Sequence, residues 1–281
     1  MIRIRGLIQR VAFSGSLIFF VIFAAAPFLW MLITTFKQDK DLYRPANNPF
    51  LFNDPPTLEN WRLLLTRTNY PRFLWNSTFV GVLVVIITLV IAIPAAYSLA
   101  RLMGRWGEGA GILIFLVYLV PPTLLFIPLS RVVVAFGLNN SVWSLVLVYP
   151  TITIPFSTWL LMGFFKSIPR DLEEQAMVDG YSHFMAFLRV VMPLSVSGVI
   201  AVVVFTFTLT LHEFIYALTF VTASAQRTIS VGVPIELVRG DVFYWQSLMA
   251  AAAFVAFPVG IVYNFFLDRL VAGFTFGAVK G

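Results

Sequence analysis

STFVGVLVVIITLVIAIPAAYSLA, from Ser77 to Ala100, carries no charged side chain. As a helix rising 1.5 Å per residue, it is long enough to cross a hydrocarbon core of about 30 Å. Five further stretches read the same way: Val11–Phe36, Ala110–Ser130, Ser141–Phe165, Val190–Thr222 and Val242–Leu267. The strands of a membrane barrel would alternate apolar and polar residues over segments of about ten, and these stretches do not. The fold class is therefore all-α and polytopic, with six transmembrane helices in a single membrane domain over residues 1–281.

Composition points the same way. Hydrophobic types make up 59% of the 281 residues, against roughly 45–50% in soluble domains. Charged residues reach only 11%, where about 25% is usual. One soluble core cannot absorb that surplus and keep a polar shell, which excludes a water-soluble enzyme. The 29 Phe exclude disorder. With no cysteine there are no disulfides, thiolate metal sites or cysteine nucleophiles. The net charge of +6 is spread singly between apolar runs, so it speaks for membrane orientation and not for nucleic acid.

Six spans put both termini on one side. The positive-inside rule places Arg3, Arg5, Arg10, Arg101, Arg105, Lys166, Arg170, Arg189, Arg269 and Lys280 in the cytoplasm. The short outer loops then hold Arg131, Arg227 and Arg239, while the long outer loop, residues 37–76, holds six basic residues and weakens the contrast. Arg3, Arg5 and Arg10 before an apolar run ending in Ala24-Ala25-Ala26 resemble an export signal. The run continues through Pro27-Phe28-Leu29-Trp30-Met31-Leu32-Ile33, so an uncleaved first span is expected. In the long loop, Pro45, Pro49, Pro55, Pro56 and Pro71 mark turns. Thr57 to Leu65 reads as a short amphipathic helix capped by Thr57, lying on the outer surface, meeting a partner or simply connecting.

The fourth connection, residues 166–193, is the most distinctive. Asp171, Glu173, Glu174 and Asp179 place four of thirteen acids within nine positions. Pro169 suits a helix start and the acids suit its positive end. Gly180 can take the left-handed conformation that ends a helix. A second helix from Ser182 sets Phe184, Phe187, Leu188 and Val191 on one stripe, and Pro193 marks entry to the fifth span. The pattern predicts a stiff helix–turn–helix, either a docking element or a solvated connector.

Glu174-x-Ala176-x-x-Asp179-Gly180, with Pro193 thirteen residues after the glycine, resembles the EAA loop of ABC-importer permeases. The likeness runs along the chain. It includes Pro56-Thr57-Leu58-Glu59-Asn60-Trp61, Ala96-Tyr97-Ser98-Leu99-Ala100-Arg101, Gly137-Leu138-Asn139-Asn140, Ile168-Pro169 and the tail Gly273 to Gly281. These segments are similar to the carbohydrate branch, in particular the maltose-type G subunit. Two departures stand out: Gln175 replaces the usual alanine, and Leu211-His212-Glu213-Phe214 replaces a Trp-Asn pattern.

The resemblance implies the type I ABC importer fold in a bacterial-type inner membrane, with a cytoplasmic coupling loop. It implies a second permease, two cytoplasmic ATPase subunits that bind ATP and Mg, and an external solute-binding protein. This chain itself would hold no cofactor and catalyse nothing. Glu174 would pair with groups of the ATPase groove, Ala176 would allow close approach, and Asp179, Gly180 and Pro193 complete the motif. The residues agree in one respect: none of Lys37, Lys40, Lys166 and Lys280 ends a phosphate-binding G-x-x-x-x-G-K-[ST] loop.

Glu213 is the one carboxylate deep in an expected span, with His212 beside it. Such a charge belongs to the protein interior or a cavity. Thr206, Thr210 and Glu213 recur at helical spacing with Tyr216 near, so this set is a candidate lining for a sugar pathway. A structural hydrogen bond to a partner is the bland alternative. A proton relay through His212 and Glu213, making the protein an ion-coupled carrier, is the sharper one. Prolines 94, 121, 122, 128, 150, 155 and 258 interrupt the spans and suggest irregular backbone near a pathway.

Overall fold

By side-chain propensity, the run Val82-Leu83-Val84-Val85-Ile86-Ile87 would suit a strand, since β-branched residues favour extended backbone. Hydrocarbon overrides that preference, because only a helix pairs every backbone group within one segment. The computed structural model describes the backbone of residues 2–278 and the side chains of residues 9, 10 and 12–267. Arg3, Arg5, Arg269, Lys280 and the tail from Gly273 lie outside the described side chains.

Along the chain, α1 spans Ile2–Thr35, α2 Asp39–Tyr43, α3 Glu59–Thr66 and α4 Tyr70–Tyr97, continued by a π-helical segment, Ser98–Leu102. Next come α5 Arg105–Tyr118, α6 Pro122–Ala135, α7 Val142–Val148 and α8 Pro150–Ser167. The fourth connection holds α9 Arg170–Val178, α10 His183–Ala186, a second π segment Phe187–Val191, and α11 Met192–Leu194. After it run α12 Val196–His212, α13 Ile215–Phe220 and α14 Ile229–Leu237. A two-residue antiparallel pair, β1 Val238–Arg239 with β2 Val242–Phe243, leads into α15 Trp245–Ala278.

Four of the described helices are long and apolar enough to cross a membrane, and two bent pairs bring the number to six. The bent pairs show how two of the six expected spans are interrupted, the third where prolines pointed to irregular backbone. The third turns by 89° between α5 and α6, and the fifth by 72° between the 183–194 segment and α12. Pro121 and Pro122 account for the first, since neither can donate a backbone bond.

The chain divides into two compact units. One comprises Met1–Asn69 with Pro234–Pro258, the other Tyr70–Val233 with Val259–Gly281. In the second, two apolar clusters flank α4. Val80, Val84, Leu145, Tyr149, Tyr216 and Phe220 form one; Ala92, Ala96, Leu161, Phe165, Phe187 and Val202 form the other. Between them Thr88 and Thr153 share a buried 2.7 Å hydrogen bond. Gly107 lets α5 approach the first π segment so closely that a Cβ there would run into the carbonyl of Leu99.

The first unit is held by a buried charge network and is more than a connector. Lys37 is fully buried, donating to the carbonyls of Asn48 and Leu51 and lying 3.6 Å from the Asp41 carboxylate. Asp41 in turn accepts the Asn53 amide side chain at 2.7 Å and its backbone N–H at 3.2 Å. Asn60 of α3 donates to the carbonyls of Thr35 and Lys37, and Trp61 donates to Thr35 Oγ1. The cap expected at Thr57 is displaced by one residue: Leu58 occupies the N-cap position, and Thr57 Oγ1 accepts Glu59 N–H at 3.1 Å.

Two predictions follow from this packing. Gly107→Ala should cost about 1–3 kcal/mol through overpacking, whereas Gly109→Ala, with open space around it, should be neutral or slightly stabilising. Melting temperatures of the two variants in detergent test this contrast. At Asp41, burial pushes the pKa up, but the Asn53 hydrogen bonds and the Lys37 charge outweigh it and hold the carboxyl below its ordinary value. A depressed folded pKa gives stability that is present above the unfolded value of about 3.9 and lost as pH falls through the folded one. Hydrogen exchange in the loop around residues 41–53 should therefore accelerate only below about pH 4, and Asp41→Asn should remove that acid step.

Candidate functional site

The loop between α8 and α12 is built by its caps. Pro169 stands at the N-cap of α9, with Asp171 and Glu173 in the first turn. Gly180 ends the helix at φ 91°, a conformation that costs a residue with a Cβ. Its N–H donates to the Met177 carbonyl at 3.0 Å, and Tyr181 N–H donates to the Ala176 carbonyl at 3.1 Å. Those two bonds form a Schellman ending. Ser182 Oγ then accepts Met185 N–H and opens α10. From outside, Arg189 lies over the Tyr181 ring at 5.3 Å and donates to its hydroxyl. The expected elbow is present.

Its residues divide by face. Glu174, Gln175 and Asp179 are exposed and line an open hollow of about 390 Å³ with Asp171 and Val178. Val178 is 87% exposed and Phe184 68%, so the elbow presents bare apolar side chains beside its acids. Ala176 departs from expectation: at 6% exposure it faces into this chain, where its small side chain serves internal packing. The apolar stripe after Ser182 is divided: Phe187 and Val191, on one edge of it, are buried, while Phe184 and Leu188, on the other, are exposed. Pro193 falls inside α11, just before the 72° bend.

Two side chains to which the sequence assigned no role in the loop, Arg101 and Tyr97, anchor the elbow through Glu173. Arg101 Nε donates to Glu173 Oε1 at 2.5 Å and its Nη2 to the Ile168 carbonyl at 2.7 Å. Tyr97 hydroxyl donates to Glu173 Oε2 at 2.9 Å. Asn140, at φ 58°, was missed as well. Its side-chain oxygen accepts the Thr222 and Ala223 N–H groups and ties down the turn after α13. Its place in the Gly137-Leu138-Asn139-Asn140 run was the available signal.

In the fifth span the polar set is split. α12 stops at His212, so Glu213 does not continue the stripe of Thr206 and Thr210. His212 and Glu213 line a cavity of about 520 Å³ with Tyr118, Pro121, Pro122 and Ile152, at the level where α5 gives way to α6. Thr206, Thr210 and Tyr216 are buried and do not line it. Thr210 bonds its own helix at the Phe207 carbonyl. Both oxygens of the Glu213 carboxylate take part: Oε1 accepts Tyr216 N–H at 2.9 Å and Oε2 accepts Ala217 N–H at 3.1 Å. It caps α13, and the Ser230 hydroxyl donates to its backbone carbonyl at 2.7 Å.

Residues 89–275, which include both the elbow and the broken span, match the family described as binding-protein-dependent transport system inner membrane component. The chain belongs to that family. This permease is 36% identical over 257 residues to the sulfoquinovosyl glycerol transport system permease protein SmoH of Agrobacterium fabrum, covering 91% of this chain and 88% of the relative. It is 30% identical to the trehalose/maltose transport system permease protein MalG of Thermococcus litoralis, covering 98% of each. Its fold is similar to a chain of a bacterial ABC transporter that imports alginate, with TM-score 0.77 at 18% identity, over 95% and 96% of the two chains. The permease is thus a multi-pass inner-membrane protein of the type I importer fold.

The capping role of Glu213 is open to direct measurement. Glu213→Ala removes both acceptors and should cost about 1–2 kcal/mol, with faster amide exchange at Tyr216 and Ala217; Glu213→Gln should fall between. Unchanged exchange at those two amides in both variants would refute the cap.

Proposed function

We propose that this permease imports a saccharide as one of two membrane subunits driven by a pair of ATPase subunits. The observation that carries the reading is the elbow of α9 and α10, closed by its caps and anchored through Glu173, with exposed acids beside exposed Val178 and Phe184. Such a mixed surface suits a protein groove better than water. The relatives named for sugar transport, matched over nearly the whole chain, support the substrate class.

In this reading the elbow and both termini are cytoplasmic. Glu174 and Asp179 meet basic or polar groups of an ATPase subunit, which holds the ATP and Mg. Gly180 preserves the angle, and Pro193 sits where the elbow joins the fifth span. A solute-binding protein delivers the sugar from outside. The cavity beside His212 forms this subunit's share of the pathway, with Tyr118 offering an aromatic face for a sugar ring. Thr206, Thr210 and Tyr216 support its wall from within. The ion-coupled alternative gains no support from the relatives, which are named as permease proteins of transport systems.

The test is reconstitution with the sister permease, the ATPase subunits and the binding protein, using radiolabelled trehalose, maltose and sulfoquinovosyl glycerol. Uptake should require ATP. Gly180→Pro, locked near φ −65°, should lose ATPase association and at least about tenfold in uptake. Gly180→Asn, which tolerates positive φ, should keep most of it. Glu174→Lys should weaken association through charge reversal. Uptake by the permease alone on an ion gradient would overturn the reading.

A further inference from the structure

Two adjacent carboxylates on α9 point to opposite environments. Glu174 is exposed, whereas the Glu173 side chain is 10% exposed and faces the 7% exposed Arg101. The fork is complete: both oxygens of Glu173 are occupied, and the same guanidinium reaches back to the Ile168 carbonyl. One arginine at the end of the second span thus holds α9 at its approach and in its first turn. Behind it, the Tyr97 ring meets Phe187 at 4.5 Å and Phe165 at 6.0 Å, so α4, α8 and the segment after α10 converge on one point.

A buried ion pair contributes little net stability, because desolvation offsets most of the attraction. What the planar fork does supply is direction, fixing angle and register where apolar packing alone can slide. The backbone agrees. Among the described residues there are two π-helical segments, and both feed this point, Arg101 from one and Phe187 from the other. Such segments recur at functional positions.

On the reading that the elbow docks an ATPase subunit, we propose that Arg101, Glu173 and Tyr97 are the positioning residues that lock α9 to the second span. Movement of the elbow is thereby passed to α4 as one rigid piece.

The cysteine-free chain allows a direct test in the complete transporter. Spin labels are placed at Leu172 on α9, outside the hollow that faces the ATPase, and at Val90 on α4, both exposed. With native residues at the lock, the distance distribution between the labels should stay narrow and unshifted when ATP and vanadate are added. Glu173→Gln, and the milder Tyr97→Phe that keeps the ring packing, should leave the ATPase subunits bound but broaden or shift that distribution with nucleotide. An unchanged distribution in both variants overturns the proposal. So does a loss of ATPase binding in both, which would mark a merely structural bond. If the ATPase subunits fail to bind the unaltered permease, the docking reading itself is wrong.

Discussion

A bilayer interior has no water to receive a freed backbone N–H or carbonyl, so each interruption of a helix must bring its own partners. That constraint organises the unit built around α4, because its spans are broken repeatedly. At Ser195, the amide and hydroxyl both return to the Val191 carbonyl. At residues 213–214, the Glu213 carboxylate serves two amides and Ser230 serves the carbonyl. At Pro121, the proline has no N–H to satisfy, and short backbone bonds close the turns on either side. A break satisfied in this way can stand open. The cavity beside His212 lies where two of these breaks meet.

The apolar runs were legible because length and absence of charge are all that a span requires. The bends were only half legible: Pro121-Pro122 marks a break, but packing sets the 89° angle. Nothing in Leu211-His212-Glu213-Phe214 announces that a helix stops, since the stop depends on Glu213 folding back onto amides three and four residues ahead. The stripe of Thr206, Thr210 and Glu213 therefore assumed a continuity that the chain lacks. The stripe of Phe184, Phe187, Leu188 and Val191 was legible as a helix face, but which edge of it would be covered depends on Tyr97 and Phe165, which are remote in sequence. Gly180 was read correctly because a single residue type decides its geometry.

The elbow shows why acids in one cluster cannot be sorted by sequence alone. Asp171, Glu173, Glu174 and Asp179 look alike as a charged face near a helix start. Only Glu173 has an arginine and a phenol brought to it, from residues more than seventy positions away. Ala176 is the complement, a motif residue whose side chain turns inward beside the outward-facing Glu174. The elbow thus carries two faces, one joined to the chain and one free. A lever needs both.

The two sets of interruptions differ in kind. The breaks at 195 and 213–214 separate helical pieces through a few bonds to local groups, an arrangement that lets pieces pivot about their caps. The π segments at 98–102 and 187–191 keep the helix continuous and widen it by one residue, and they meet at a filled aromatic cluster bound by a charged fork. The break at 213–214 accompanies the cavity, the break at 195 lies where the elbow joins the fifth span, and the continuous π segments lie at the elbow's anchor. On the proposed reading, in which a push at the elbow becomes an opening within the bilayer, a stiff anchor on α4 and a hinge at each end of α12 are the arrangement this chemistry favours.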